Sequence, residues 1–464
     1  MPSADPALSI SDLAGRQVAV VGVGREGLAM ATVLARDVPT ARVLGIDQYD
    51  GDAADNWRSQ TGLPLVVSEA GDNVPADLDV AVVSPGFPPH NPLIRALDAH
   101  PAILTSGTDL FFAENSDRII GVTGSKGKST TSALIHHLLV AHGVDAVLGG
   151  NVGVPLWDLD DADWVVAEVS SYQASRLHHS PHTAVLTALF EEHIDWHGSF
   201  DAYARDKLNL VGYGPRHVVV NTTNALLVSE LGARHPDLPR VDVGPGMDWD
   251  LVDQGERVWL GRRGELIVPV DQLPVPGEHN AWNALLALAA VETITPIDTA
   301  IAAMALQSFQ PLPHRMQPID DPSGVVFLND SLATNPVALA AALRSLRHTR
   351  VVALIGGHDR GVDDSALAEE IIAHPPAVLI GLPDSGPVML DKVRTWLEGA
   401  GVSESSWPEM VAVADMDSAI VAARERARPG DVVTLSPGAP SFGRYRDYQH
   451  RAEDFVRAIR ETAV

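Results

Sequence analysis

The stretch Gly124-Ser-Lys-Gly-Lys128-Ser129 sets an amine and a hydroxyl directly after a glycine turn, which suits a chain that wraps a phosphate. Backbone N–H groups at such a turn, with the N-terminus of a following helix, favour anionic oxygens. On this reading Gly124, Ser125, Lys126, Gly127 and Thr130 line the loop, Lys128 opposes the β- and γ-phosphates, and the Ser129 hydroxyl holds Mg²⁺. The strict form of the motif asks for glycine where this chain has Val122, so the match is incomplete. Glu168 and His193 close later strand-like runs and are reasonable Mg²⁺ ligands, directly or through water. Lys207 follows His193 by 14 residues on a helical stretch. An amine can take up CO₂ to become a metal-binding carbamate, and a guanidinium cannot. Only four of the 33 basic residues are lysines, namely Lys126, Lys128, Lys207 and Lys392, so each raises the question of whether its position needs an amine. A second turn, Gly22-Val-Gly24-Arg25-Glu26-Gly27, precedes Asp47 by 20 residues, a spacing at which an acid suits a ribose hydroxyl. Two nucleotide-type sites in one chain point to a reaction between ATP and a second substrate that also carries a nucleotide.

These residues need rigid elements to hold them. Gln17-Val-Ala-Val-Val reads as a strand, Leu28 to Ala35 as a helix, and Arg42 to Ile46 as a second strand ending at Asp47, a βαβ opening. Val80-Ala-Val-Val then runs into the tight turn Ser84-Pro85-Gly86. From Arg118 to Thr123 a buried strand leads into the phosphate loop and a helix from Ser129, with strands at Trp164–Glu168 and from Ala184. The pattern weakens around residues 241–275 before an alanine- and leucine-rich helix from Trp282 to Val291. Strand-like runs at Val325, Val351, Ala377 and Asp431 alternate with helical stretches and predict another parallel sheet. The expected architecture is α/β, three domains in series: a Rossmann-like 1–105, a central P-loop domain 106–311 and a Rossmann-like 312–464.

Composition agrees with a soluble globular protein, since 45% of the 464 residues are apolar and 20% charged. No apolar run approaches the ~18 residues of a membrane span, and no signal-like segment opens the chain. Cysteine is absent, which removes disulfides and thiolate metal sites and agrees with a cytoplasmic protein. A net charge of -27 repels nucleic acid. No internal repeat or low-complexity tract interrupts the chain.

With these residues in place the chain resembles the Mur ligase family along essentially its whole length. Thr123-Gly-Ser-Lys-Gly-Lys-Ser-Thr130, Gly149-Gly-Asn151-Val-Gly, Glu168-Val-Ser-Ser-Tyr-Gln173 and Glu192-His193-Ile-Asp195-Trp-His-Gly are similar to its central-domain signatures. Pro276-Gly-Glu-His279-Asn280, Leu312-Pro-His314-Arg315 and Asn329-Asp330-Ser331-Leu332-Ala333-Thr334-Asn335 complete the ordered series. Within the family, Glu-x-Ser-Ser-x-Gln and Ser436-Pro-Gly-Ala-Pro-Ser441-Phe442 resemble the glutamate-adding member best. The resemblance implies ATP, UDP-N-acetylmuramoyl-L-alanine and glutamate as substrates, an acyl-phosphate intermediate, two Mg²⁺ ions and a monomeric enzyme of peptidoglycan precursor synthesis. It implies that Ser129 and Glu168 share one Mg²⁺, and that His193 and a carbamylated Lys207 serve the second. Asn280 and Asn283 match adenine-side positions, Asp330 a ribose contact and Arg315 a phosphate contact. Gly24, Arg25, Asp47, Ser84, Pro85 and Gly86 match the uridine side, joined by Asn151, Ser171 and Gln173. Thr334, Arg360, Ser441, Phe442 and Tyr448 fall where glutamate binds.

The chain departs from the D-glutamate-adding pattern at one cluster of positions. Leu332 stands where the D-specific motif carries lysine, Gly356-Gly-His-Asp-Arg360 differs from its loop, and Gly443-Arg444-Tyr445-Arg446-Asp447-Tyr448 replaces its Asp-Gln-Phe stretch. Arg360, Arg444 and Arg446 offer guanidinium forks for carboxylates instead. The pattern is closer to the branch that adds L-glutamate. A folylpolyglutamate synthetase has no need of the first glycine turn, an NAD-dependent oxidoreductase leaves the phosphate loop unexplained, and a P-loop regulator leaves the third segment unexplained.

Overall fold

The computed structural model describes residues 7–151, 154–275, 277–310, 314, 316–358, 364–441 and 443–462. The chain divides into two compact units, Met1–Phe309 and Gln310–Val464. Three sheets organise them, two in the first unit and one in the second.

The first sheet runs Leu65–Val67, Arg42–Asp47, Gln17–Val21, Val80–Val83, Ile103–Thr105 in spatial order, all parallel. Its central strand is buried on both faces: Val18 and Val20 enter one core while Ala19 and Val21 enter the other. A continuous β-branched run is what such a two-sided strand needs. Strand order reverses between Gln17–Val21 and Val80–Val83, which opens a crevice at their carboxyl ends, where ligands of open α/β sheets bind.

The second sheet has nine strands. Ala146–Gly150, Trp164–Glu168, Ile119–Thr123, Thr183–Leu186, His217–Asn221 and Val241–Val243 are parallel neighbours. The weakly patterned stretch from 241 to 275 then extends this sheet as an antiparallel meander, Trp249–Asp253, Val258–Arg262 and Glu265–Pro269. Helix Glu278–Glu292 packs against helix Lys128–Ala141 and buries Ala281 to Val291 without a break. Its alanines let the two backbones approach, and it begins four residues earlier than the apolar run predicted because Gly277 starts it.

Helix Gly107–Asn115 joins the first two sheets. Leu110 sits in the core of the first, while Phe111 and Phe112 belong to the core of the second. Trp157 donates to the Gly107 carbonyl at 2.8 Å and meets Phe111 edge-on.

In the second unit the order is Gln317–Ile319, Val326–Asn329, Val432–Leu435, Val351–Ile355, Val378–Gly381, Glu409–Ala412. All neighbours are parallel except the edge strand Gln317–Ile319. An all-parallel sheet was the expectation, and the added edge is a three-residue strand with proline at its centre, too short to carry a periodic signal.

Candidate functional site

The fully buried strand Ile119–Thr123 delivers the chain to the phosphate loop, and helix Lys128–Ala141 leaves it. Gly127 caps that helix at φ +88°, and a Cβ there would meet Asn283 Oδ1 at 2.6 Å, so glycine is required on two counts. Asn283 is 6% exposed and donates to Asn280 Oδ1 at 3.2 Å. The two adenine-side candidates therefore stand together against the loop. Thr187, which the sequence gave no reason to single out, secures the turn by donating to the Lys126 carbonyl at 2.5 Å and the Thr123 carbonyl at 3.2 Å. Ser125 bonds Tyr203 at 2.6 Å, and its hydroxyl also donates to the Phe190 carbonyl at 3.0 Å. Burial pushes the Tyr203 hydroxyl pKa upward, so it stays a neutral partner.

Three of the four lysines meet here. Lys128 Nζ donates to the Gly124 carbonyl at 2.8 Å, and Lys207 Nζ donates to the same oxygen at 2.9 Å. Lys126 pairs with Glu192 at 2.8 Å. Lys207 is 3% exposed, and burial, reinforced by the nearby Lys128 charge, holds its pKa well below the usual lysine value. Buried Glu168 ends strand Trp164–Glu168 and accepts from the Asn151 amide at 2.9 Å. Among the described residues no cation pairs with it. Ser129 is likewise buried, on the first turn of the loop helix. His193 is exposed, at φ +56°, and caps the short helix Ile194–His197.

Among the described residues no group of three or more His, Asp or Glu could enclose a metal unaided. The donor set nevertheless fits Mg²⁺ held jointly with phosphate oxygens. It combines a hydroxyl, a buried carboxylate that forms no salt bridge among the described residues, and a lysine whose amine burial favours in the neutral form. His197, part of a quoted motif but given no role in the sequence reading, places Nδ1 2.7 Å from Asp206 Oδ2 and Nε2 3.0 Å from Ser171 Oγ. That chain ties Ser171 to the helix that carries Lys207.

At the crevice of the first sheet, Gly24 caps helix Arg25–Asp37 and Arg25 opens it. Asp47 Oδ2 accepts from the Val23 N–H at 3.0 Å, so its carboxylate braces the glycine turn. Ser84 donates to the Gly22 carbonyl at 3.0 Å, with Pro85 and Gly86 following on the same rim. Gln173 Nε2 lies 3.5 Å from Glu26 Oε1, a carboxyl whose pKa burial raises. The structure thereby brings the uridine-side candidates of the first sheet up to one from the second.

In the second unit Asp330 follows strand Val326–Asn329, and its carboxylate accepts from Ser436 Oγ at 3.0 Å and the Met316 N–H at 3.2 Å. Thr334 shares a cavity with Asn335, His358, Ser385 and Lys392. Ser441 lines a neighbouring one with Gly356, Gly357, Arg444 and Arg451. Tyr448 begins helix Tyr448–Glu461, and its carbonyl accepts from Ser331 Oγ at 2.8 Å. Arg315, Arg360 and Phe442 lie outside the described residues.

Comparison with known proteins agrees with this layout. The family model of the Mur ligase middle domain matches residues 122–291, and that of the Mur ligase glutamate ligase domain matches residues 314–438. A UDP-N-acetylmuramoyl-L-alanine--L-glutamate ligase of Salinispora tropica is 41% identical over 98% of this chain and 100% of the relative. One of Xanthomonas axonopodis pv. citri is 36% identical over 97% of this chain and 96% of the relative. Among solved structures, the UDP-N-acetylmuramate-alanine ligase of Thermotoga maritima superposes with a TM-score of 0.60 at 20% identity, covering 96% of this chain and 99% of its own. The MurF ligase of the same organism, in complex with ADP, gives 0.58 at 16% identity, covering 97% and 99%. Fold, loop geometry and near-full-length similarity meet in one conclusion: this chain belongs to the Mur ligase family.

Proposed function

We propose that the chain joins glutamate, in its L form, to UDP-N-acetylmuramoyl-L-alanine at the expense of ATP. The observation that carries the ligase reading is the convergence of Lys128, Lys207 and Lys126 on one glycine turn beside buried Glu168. Such a site neutralises triphosphate charge, and in the mechanism that the family resemblance implies the substrate's carboxylate attacks the γ-phosphorus. That carboxylate takes the γ-phosphoryl group, giving an acyl phosphate and ADP. The amine of glutamate then adds to the carbonyl carbon, loses a proton, and phosphate leaves.

The chain's residues act here mainly by position and charge. Lys128 holds the phosphates against the loop backbone and Asn280 and Asn283 flank the adenine side, while the family resemblance gives Asp330 a ribose contact and Arg315 a phosphate contact. Ser129 and Glu168 would hold one Mg²⁺, and His193 and carbamylated Lys207 would hold a second. Mg²⁺, when bound, neutralises charge on the transferring phosphoryl group. A neutral Lys207 amine is the form that adds to CO₂, and its burial beside Lys128 favours that form. Gly24, Arg25, Asp47, Ser84, Pro85 and Gly86 take the uridine nucleotide, with Asn151, Ser171 and Gln173 closer to the reacting end. Thr334, Arg360, Ser441, Phe442 and Tyr448 take glutamate. In this reading residues 1–105, 106–311 and 312–464 bind precursor, ATP and amino acid in turn. The enzyme is a cytoplasmic monomer, and no helix of the described residues is long and apolar enough to cross a membrane.

The hand of glutamate rests on Leu332, which has no charge to offer where the D-specific pattern has lysine, and on relatives whose names specify L-glutamate. The test is phosphate release from ATP and UDP-N-acetylmuramoyl-L-alanine with each enantiomer. A higher kcat/KM with L-glutamate is expected. A clear preference for D-glutamate overturns the stereochemical reading, and no release with either overturns the ligase reading.

A further inference from the structure

Lysine is rare in this chain, at four of 33 basic residues, because arginine serves as its general cation. Three lysines are accounted for at the phosphate loop. The fourth, Lys392, lies on helix Gly386–Gly399 of the second unit. It lines the same cavity as Thr334, together with His358, Ser385 and Gly438. Its ammonium pairs with Asp364 Oδ2 at 2.7 Å, and both side chains keep access to solvent, at 42% and 26% exposed. An ammonium is a compact charge with three donors, so it can keep one carboxylate and donate to another. Leu332, the position that lacks a cation, immediately precedes the Ala333-Thr334 turn on that cavity's wall.

We propose that Lys392 is a specificity-determining residue for the incoming amino acid, donating to its side-chain carboxylate while Asp364 fixes the ammonium in place. The inference rests on the reading of the chain as a glutamate ligase. It explains how a site that has lost a lysine from the Asp330–Asn335 turn still meets a dianionic substrate with a positive charge from a different wall. A charge entering from another side changes which hand of a three-point ligand fits.

Two measurements test this. Replacing Lys392 with Met should raise the KM for L-glutamate by roughly 10- to 150-fold, the size of a lost charged hydrogen bond, with the KM for ATP little changed. The melting temperature distinguishes a merely structural ion pair: Lys392→Met and Asp364→Asn would then lower it alike and leave the glutamate KM alone. The second measurement uses the unaltered protein, so it does not depend on a variant folding. Acylation of the four lysines by acetic anhydride is followed by peptide mass spectrometry in the presence of precursor and a non-hydrolysable ATP analogue. L-Glutamate should protect Lys392, whereas L-norvaline, which lacks the side-chain carboxylate, should not. Equal acylation of Lys392 with and without glutamate, or an unchanged glutamate KM in a folded Lys392→Met protein, overturns the proposal. If the unaltered enzyme turns over no glutamate at all, the ligase reading itself fails, a result that phosphate release reports separately.

Discussion

An amine buried beside a second amine must shed its proton or acquire a negative partner, and Lys207 is in that position next to Lys128. Lys207→Arg keeps a permanent charge and cannot form a carbamate, so it should cost most of the activity. Lys207→Ala should regain part of it when short carboxylic acids are supplied. Full activity in the arginine variant would show that Lys207 serves only to brace Gly124. Lys128→Ala removes the charge proposed to oppose the phosphates and should lower turnover at saturating ATP by roughly 10²- to 10³-fold or more, measured on protein whose circular dichroism is unchanged. The phosphate loop was legible in sequence because its residues are contiguous and their types are constrained by backbone geometry. Thr187 and Tyr203 were not, since each acts across the fold on the loop, 61 and 78 residues away in sequence. A lone Thr or Tyr carries no local sign of that partner. Lys392 was visible only as a composition anomaly until the fold placed it beside Thr334.

At the scale of elements, close approach decides more than propensity. Gly27 lies inside helix Arg25–Asp37, where a Cβ would stand 2.2 Å from the Gly22 carbonyl oxygen. Gly27→Ala must push the helix off the turn, which should cost about 1–3 kcal/mol and weaken precursor binding, as read by urea denaturation and titration calorimetry. In the second unit Arg424 on helix Met416–Arg426 grips Asp321 at 2.5 Å and stacks over Phe327 at 4.9 Å. The guanidinium holds the Asp321 carboxyl at about 2, below its ordinary 3.8. The carboxylate therefore contributes its full stability above pH 4, and that contribution disappears as the pH falls through about 2. Asp321→Asn should remove on the order of 2 kcal/mol near neutrality and flatten the acid limb of a pH–stability curve. Strands such as Trp164–Glu168 and Val351–Ile355 were legible because both faces are buried and the run is apolar, up to the closing Glu168 in the first. Leu65–Val67 and Glu409–Ala412 are short edge strands only partly buried, and the meander after Trp249 is half solvated. Their hydrophobic signal is diluted to the level of a loop.

Across the whole molecule, the two units have separate hydrophobic cores: the clusters around Val18 and Phe112 lie in Met1–Phe309, and those around Val352 and Leu367 in Gln310–Val464. Unfolding followed by calorimetry should resolve two transitions. Gly27→Ala should lower one and Asp321→Asn the other, and a single transition moved by both variants would contradict separate cores. Within the first unit the situation is the reverse. Helix Gly107–Asn115 gives Leu110 to one core and Phe111 and Phe112 to the next, so it works as a rivet through two plates. Gene recombination that swaps the first sheet at residue 105 would separate Leu110 from the strands it covers and leave an apolar scar on each fragment. Viable chimeras between relatives should carry their crossover beyond Asn115, with Trp157 inherited from the parent that supplies this helix.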